Sequence, residues 1–138
     1  MSKHANVFTL PIRVYFQDTD AGGVVYHASY VNFMERARTE WLRGFGFTSS
    51  GLIKELGVMF VVRSLKLDYL KPALLDDMLS VSAQLKEVGR SRITLHQSMM
   101  RGDEILVEGE IHLVCVKADS FKPVSVPDVL RAKWKSQV

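Results

Sequence analysis

The residues of this chain whose types and spacing could do chemistry gather in Asp18-Thr19-Asp20-Ala21-Gly22-Gly23-Val24-Val25-Tyr26-His27-Ala28-Ser29-Tyr30. Two carboxylates stand one residue apart. In an extended segment, side chains at spacing two point the same way, so Asp18 and Asp20 are expected on one face. Gly22-Gly23 lets backbone approach a ligand closely and adopt positive φ at little steric cost. A helix follows, and a helix N-terminus presents unpaired N–H groups with about half a positive charge. A carboxylate beside such amides can attack a polarised carbonyl: the acid supplies a base or nucleophile, the amides hold the carbonyl oxygen. The same residue types also build ordinary turns, so the surroundings must decide.

Those surroundings begin with residues 7–17, which read as a strand, with Pro11 placing it at a sheet edge or bulge. After the loop, Tyr30, Phe33, Met34, Ala37, Trp41 and Phe45 recur at helical spacing, while Asn32, Glu35, Arg36, Glu40 and Arg43 cover the other side. This predicts a helix over 28–44, ended by Gly44 and Gly46. A short helix over 49–56 would be capped by Ser49 or Ser50 and stopped by Gly57. From residue 58 the period becomes two. Met59, Val61, Leu65, Leu67 and Tyr69 alternate, with Arg63 out of phase; Leu79, Val81, Ala83 and Leu85 follow; then Ile93, Leu95 and Met99. Ile105, Val107, Gly109, Ile111, Leu113 and Cys115 close the series. Turn signals at Gly89 and Gly102-Asp103 make the last three strands an antiparallel meander. One long helix against a curled antiparallel five-stranded sheet is an α+β domain, with the sheet wrapped around the helix.

Composition narrows the function. At 138 residues the chain fits one domain, 1–138, with 47% apolar and 24% charged residues, ordinary for a globular protein. A net charge of +3 suits an anionic small ligand or acidic partner and is too weak to argue for nucleic acid. The lone Cys115 excludes an internal disulfide and fits a reducing compartment. The first six residues lack an apolar signal core, and no run is long enough to span a membrane, so a cytoplasmic place is expected. His4, His96 and His112 stand apart with no metal-ligand spacing, so neither a metal nor another cofactor is expected.

The run from Tyr15 through Tyr30, continuing through Glu35-Arg36-Ala37-Arg38-Thr39-Glu40, closely resembles the 4-hydroxybenzoyl-CoA thioesterase family of hotdog-fold proteins. Within that family it is most similar to the bacterial acyl-CoA thioesterases associated with the Tol-Pal cell-envelope system. The similarity extends to Tyr69-Leu70-Lys71-Pro72-Ala73-Leu74-Leu75-Asp76-Asp77-Met78 and to Lys122-Pro123 and Val126-Pro127. The resemblance implies a hotdog fold and a homodimer or dimer of dimers (a homotetramer) with active sites at the dimer interface. It implies hydrolysis of acyl-CoA to free acid and CoA. Asp20 matches the family's catalytic carboxylate, as nucleophile or general base. The backbone N–H of His27 matches the amide that polarises the thioester carbonyl. Gly23 and Tyr26 are expected to line the substrate site, and Asp18 to orient the loop or cap the helix-entry turn.

Arg90, Ser91 and Arg92 fall near where related enzymes hold the CoA phosphates, and arginine's planar fork suits phosphate. Other residues read as structural. Glu35 is expected in ion pairs with Arg36 and Arg38, Cys115 as a buried thiol, and Asp76-Asp77 as turn caps. Tyr30 is expected in the core, and the basic tail around Arg131, Lys133, Trp134 and Lys135 as a short solvated helix. The alternative to hydrolysis is a binding role: docking acyl carrier protein, which is acidic, or phospholipid-synthesis enzymes, peripherally at the inner membrane. A hotdog dehydratase is disfavoured, because those enzymes pair a catalytic histidine with an acid in another arrangement.

Overall fold

A computed structural model describes residues 7–138; His4 lies outside the described residues. Strand β1 (Phe8–Arg13) leads through a loop to helix α1 (His27–Arg43). Strands β2 (Val58–Tyr69), β3 (Met78–Val88), β4 (Arg92–Arg101) and β5 (Glu104–Lys117) complete the sheet. All pairings are antiparallel, in the order β1-β3-β4-β5-β2. Pro11 sits on edge strand β1, where its missing N–H costs no ladder bond. The expected meander runs through β3, β4 and β5.

Tyr30, Phe33, Met34, Ala37 and Trp41 form the buried stripe of α1. They face a concave sheet surface that includes Leu79, Val81, Leu95, Met99, Ile111 and Cys115. The helix packs chiefly on β3 and β1, which leaves its flank toward β2 less covered. Gly109 pairs with Leu67 of β2, and a Cβ there would run into Lys66 O and Leu67.

Several expectations are corrected. Strand β1 stops at Arg13, and Phe16–Asp18 is a 3-10 turn. The short helix α2 (Ser49–Gly51) relaxes into a π turn over Leu52–Leu56, and Thr48 caps it, its Oγ1 accepting from Gly51 N–H at 2.9 Å. Gly57 ends that segment with φ 67°. In β2 a bulge at Arg63 separates the pairs Val62–Leu113 and Ser64–His112. An extra residue flips the phase, so Val58 and Phe60, not Met59 and Val61, share the inner face with Leu65 and Leu67. A second bulge between Met99 and Met100 exchanges Ile105, which is exposed, for Leu106, which is buried.

The tail is not solvated. Helix α3 (Asp128–Trp134) buries Leu130 and Trp134, and Trp134 stacks on Trp41 with centroids 5.3 Å apart.

Candidate active site

The two aspartates of the loop take opposite orientations. The 3-10 turn rotates Asp18 inward, leaving it only 8% exposed, so it does not share a face with Asp20. Asp18 Oδ2 accepts from Tyr15 N–H at 2.8 Å and its carbonyl accepts from Tyr26 N–H at 2.9 Å. It ties the loop's entry to the start of α1, the orienting role expected of it. Asp20 is exposed at the tip of a tight reversal closed by the Thr19–Val25 bridge. Its N–H donates to Val24 O at 2.9 Å, and its Oδ1 accepts from Gly22 N–H at 2.8 Å. Gly23 carries the reversal through φ 80°, a conformation that side chains resist.

Seven residues after Asp20, α1 begins. Its N-cap, Tyr26, is extended and makes no side-chain capping bond, and no acid stands in the first turn. Ser29 N–H is taken by Tyr26 O. The His27 amide has no acceptor among the described residues, so a field that favours negative charge is open there to a ligand. The His27 ring meets Tyr69 edge-on at 5.1 Å, and Tyr69 meets Tyr30 at 5.3 Å. These rings, with Val24, Lys71 and Pro72, line a cleft of about 250 Å³ beside the helix start. Tyr26 is 58% exposed, and neither it nor Gly23 lines this cleft.

A second loop holds the first. Val25 N–H donates to Ala73 O at 2.9 Å, Leu75 N–H to Gly23 O at 3.3 Å, and Val24 bridges Leu74. This 71–77 segment is fixed from below by the Tyr30 hydroxyl, which accepts from Ala73 N–H at 3.0 Å. Burial pushes the Tyr30 phenol above its ordinary pKa, with the Ala73 bond opposing. Asp77 Oδ2 accepts from Leu74 N–H at 2.8 Å, capping the turn as expected, and from Arg101 at 2.7 Å. Hydrogen bonds to Glu104 and Asp77 raise the Arg101 pKa, and those from Lys71 and Arg101 lower that of Glu104. The Arg101 clamp and the Tyr30 hydroxyl bond have no signal in the sequence: their partners lie far along the chain, and no periodicity marks them.

Other expected residues fall elsewhere. Arg90 and Ser91 occupy the β3–β4 connection and Arg92 opens β4, whereas the Asp20 loop adjoins the Met78 end of β3. Ten strand steps of about 3.3 Å put them roughly 30 Å apart along the sheet. Within one chain they do not join Asp20 and His27. Arg90 Nε donates to Ser125 Oγ at 3.1 Å, and Arg131 donates to the carbonyls of Gly89 and Arg90, both at 3.0 Å. Glu35 is exposed and forms no ion pair among the described residues, contrary to its expected pairing. His96 and His112 lie on strands β4 and β5 beside Glu108 and Glu110, at 3.3 and 3.0 Å. No cluster of three or more potential metal-ligating side chains exists among the described residues. Cys115 is buried, which pushes its thiol up to about 11.

An uncapped helix start entered from a loop that exposes a carboxylate suits acyl-transfer chemistry, and comparison with known proteins gives the lineage. The family model of the thioesterase-like superfamily matches residues 14–134. This chain belongs to that superfamily. Its curated relatives include a Haemophilus influenzae protein named acyl-CoA thioesterase YbgC, 45% identical over 129 residues, which span 94% of this chain and 95% of that one. An Escherichia coli O6:H1 protein named acyl-CoA thioester hydrolase YbgC is 42% identical over 133 residues, 96% and 98% of the two chains. A solved structure of a probable thioesterase from Bartonella henselae superposes with a TM-score of 0.84 at 31% identity, covering 88% of this chain and 99% of that one. The curled sheet around one long helix is thus the superfamily's hotdog fold, and the resemblance read from Tyr15 to Glu40 holds over almost the whole chain.

Proposed function

We propose that this protein hydrolyses acyl-CoA thioesters to the free acid and CoA. The observation that carries the reading is the Asp20 carboxylate exposed on a hairpin whose base, the Tyr26 N–H to Asp18 O bond, leads directly into the open, uncapped N-terminus of α1. The thioester carbonyl accepts from the His27 N–H, and the charge that develops on its oxygen is stabilised by that amide and the helix field; such a donor is worth about 10²–10³ in rate. Asp20 takes the proton of an attacking water. Alternatively it attacks directly, giving a mixed anhydride that water then opens. The tetrahedral adduct expels the CoA thiolate in either route. Gly23 and Tyr26 flank the reacting group. The relatives named acyl-CoA thioesterases support the substrate class.

The far position of Arg90 and Arg92 favours a site shared by two copies. Paired antiparallel about a two-fold axis, each copy brings these arginines toward the CoA phosphates bound at the His27 site of the other. A homodimer, alone or doubled, is therefore the proposed assembly.

The test is CoA release by wild type and Asp20→Asn. The variant is expected to lose at least about a hundredfold in kcat while keeping its fold and oligomeric state. Rapid-quench single turnover separates the two routes, because a nucleophilic Asp20 forms an acyl–enzyme adduct at that residue and a general base forms no bond to the substrate. Turnover that survives Asp20→Asn removes the assignment. In that case retention on immobilised acyl carrier protein would favour the docking role.

A further inference from the structure

Because α1 packs chiefly on β3 and β1, a cavity of about 320 Å³ remains between its β2 flank and the sheet. Phe60, Val62, Leu95, Leu113 and Trp41 make its walls mostly apolar, while Arg38 and, one turn before it, Glu35 border it from the helix. Residues 27, 31, 35, 38 and 42 follow one another at spacings of three and four, so His27 and Arg38 lie on the same flank of α1. Opposite them runs β2, with Tyr69 against His27 and Phe60 to Val62 at the Arg38 level. At 1.5 Å per residue the two positions are roughly 16 Å apart along the axis.

Arg38 is held in place rather than neutralised. Gln97 is fully buried; its Nε2 donates to Met34 O and to Ser82 O, both at 3.0 Å, which fixes its Oε1 toward Arg38 Nη1 at 3.1 Å. Arg38 joins no ion pair among the described residues. Burial lowers the pKa of the guanidinium from its ordinary value, with the Glu35 charge opposing. A guanidinium carries five donors, and here a carboxamide oxygen is the one acceptor found for them among the described residues. A half-buried cation with spare donors, facing a mostly apolar cavity, favours an anionic acceptor there.

We propose that this cavity receives the far end of the acyl group and that Arg38 selects chains ending in a carboxylate, making ω-carboxyacyl thioesters the preferred class. This rests on the thioesterase reading for its reaction, and on Arg38, Gln97 and the cavity for its selectivity.

The test compares ω-carboxynonanoyl-CoA with decanoyl-CoA, which differ only at the chain end. Wild type is expected to favour the carboxylate by about tenfold or more in kcat/KM, and Arg38→Gln to lose that ratio while Arg38→Lys keeps part of it. Binding is read separately. The chain's two tryptophans, Trp41 and Trp134, both line the cavity, so their fluorescence reports occupancy by sebacate against decanoate without any hydrolysis. Equal kcat/KM and equal affinity for the two chain ends in wild type overturns the proposal, as does a ratio unchanged in Arg38→Gln. If Arg38→Gln fails to fold, the wild-type ratios and Arg38→Lys decide. Sebacate binding through Arg38 with no CoA release from either thioester would sink the hydrolase reading and leave the carboxylate pocket standing.

Discussion

Replacing Tyr30 by Phe removes one oxygen atom and tests how the site is supported. The ring is buried and stays, so no cavity larger than a hydroxyl opens. What is lost is the acceptor for Ala73 N–H, in a residue that is itself fully buried. A buried amide deprived of its partner costs about 1–3 kcal/mol. Urea unfolding should show that loss as a lower midpoint at unchanged m-value. Thermal unfolding should show roughly 3–5 °C for each kcal/mol in a chain of this size. The effect should also reach the reaction. Ala73 O holds Val25 N–H, and Gly23 O holds Leu75 N–H, so a loosened 71–77 segment frees the backbone on which Asp20 rides. Turnover of acyl-CoA should fall severalfold under conditions where the variant is fully folded. An unchanged unfolding midpoint would refute the hydrogen-bond argument. A lowered midpoint with intact kcat would refute the claim that this segment positions the Asp20 loop.

Two further outcomes follow from burial. Trp134→Ala should cost about 3–5 kcal/mol by urea titration, because the ring fills core space against Trp41, Phe45 and Phe60. Lys133→Ala beside it should stay within about 0.5 kcal/mol. Equal effects would mean that α3 is not docked. For Cys115 the folded thiol keeps its proton up to about pH 11, whereas in the unfolded chain it ionises near 9.0. Between those values the unfolded state binds fewer protons, so stability falls as pH rises, and the contribution is fully present below pH 9. Cys115→Val should unfold in urea with a shallower loss over that window than wild type; parallel curves would exclude the thiol as a contributor.

The parts of this fold legible in the sequence are those written by local period. The stripe from Tyr30 to Trp41 fixed α1 to within a residue at each end, and Gly89 and Gly102-Asp103 marked the turns of the meander. Bulges break that logic. Arg63 showed itself only as a residue out of phase, and without the partner strand there was no way to tell an exception from a register shift that moves Met59 and Val61 to the other face. Tertiary docking was equally hidden. The alternation of lysines with Arg131 and Trp134 reads as a solvated basic helix until the open end of the core near Trp41 and Phe60 is seen to need covering. For the site, the Asp18-x-Asp20 spacing suggested two carboxylates on one face, and a three-residue 3-10 turn sends them apart. Nothing local announces that turn, because Phe16 and Gln17 serve a strand equally well.

That divergence gives the two acids separate work. Asp18 is only 8% exposed and its carboxylate is occupied by Tyr15 N–H, so it is a poor base for an external water and a good anchor. Asp20 has one oxygen on the Gly22 amide and is open to solvent, where an external water can reach it. The lopsided seat of α1 divides the helix in the same way. Its N-terminus is uncapped at the proposed reaction point, its buried stripe holds the sheet, and its β2 flank borders a cavity into which Arg38 projects. A helix centred on the sheet would close that cavity. The position of α1 over β3 and β1 therefore supports both the proposed reaction point and the proposed chain-end pocket. Filling the gap should separate the two. Val62→Trp places bulk from β2 into the cavity and should reduce kcat/KM for decanoyl-CoA far more than for acetyl-CoA, whose acyl group does not reach it. Equal losses for both thioesters would mean that the acyl chain does not run along this flank.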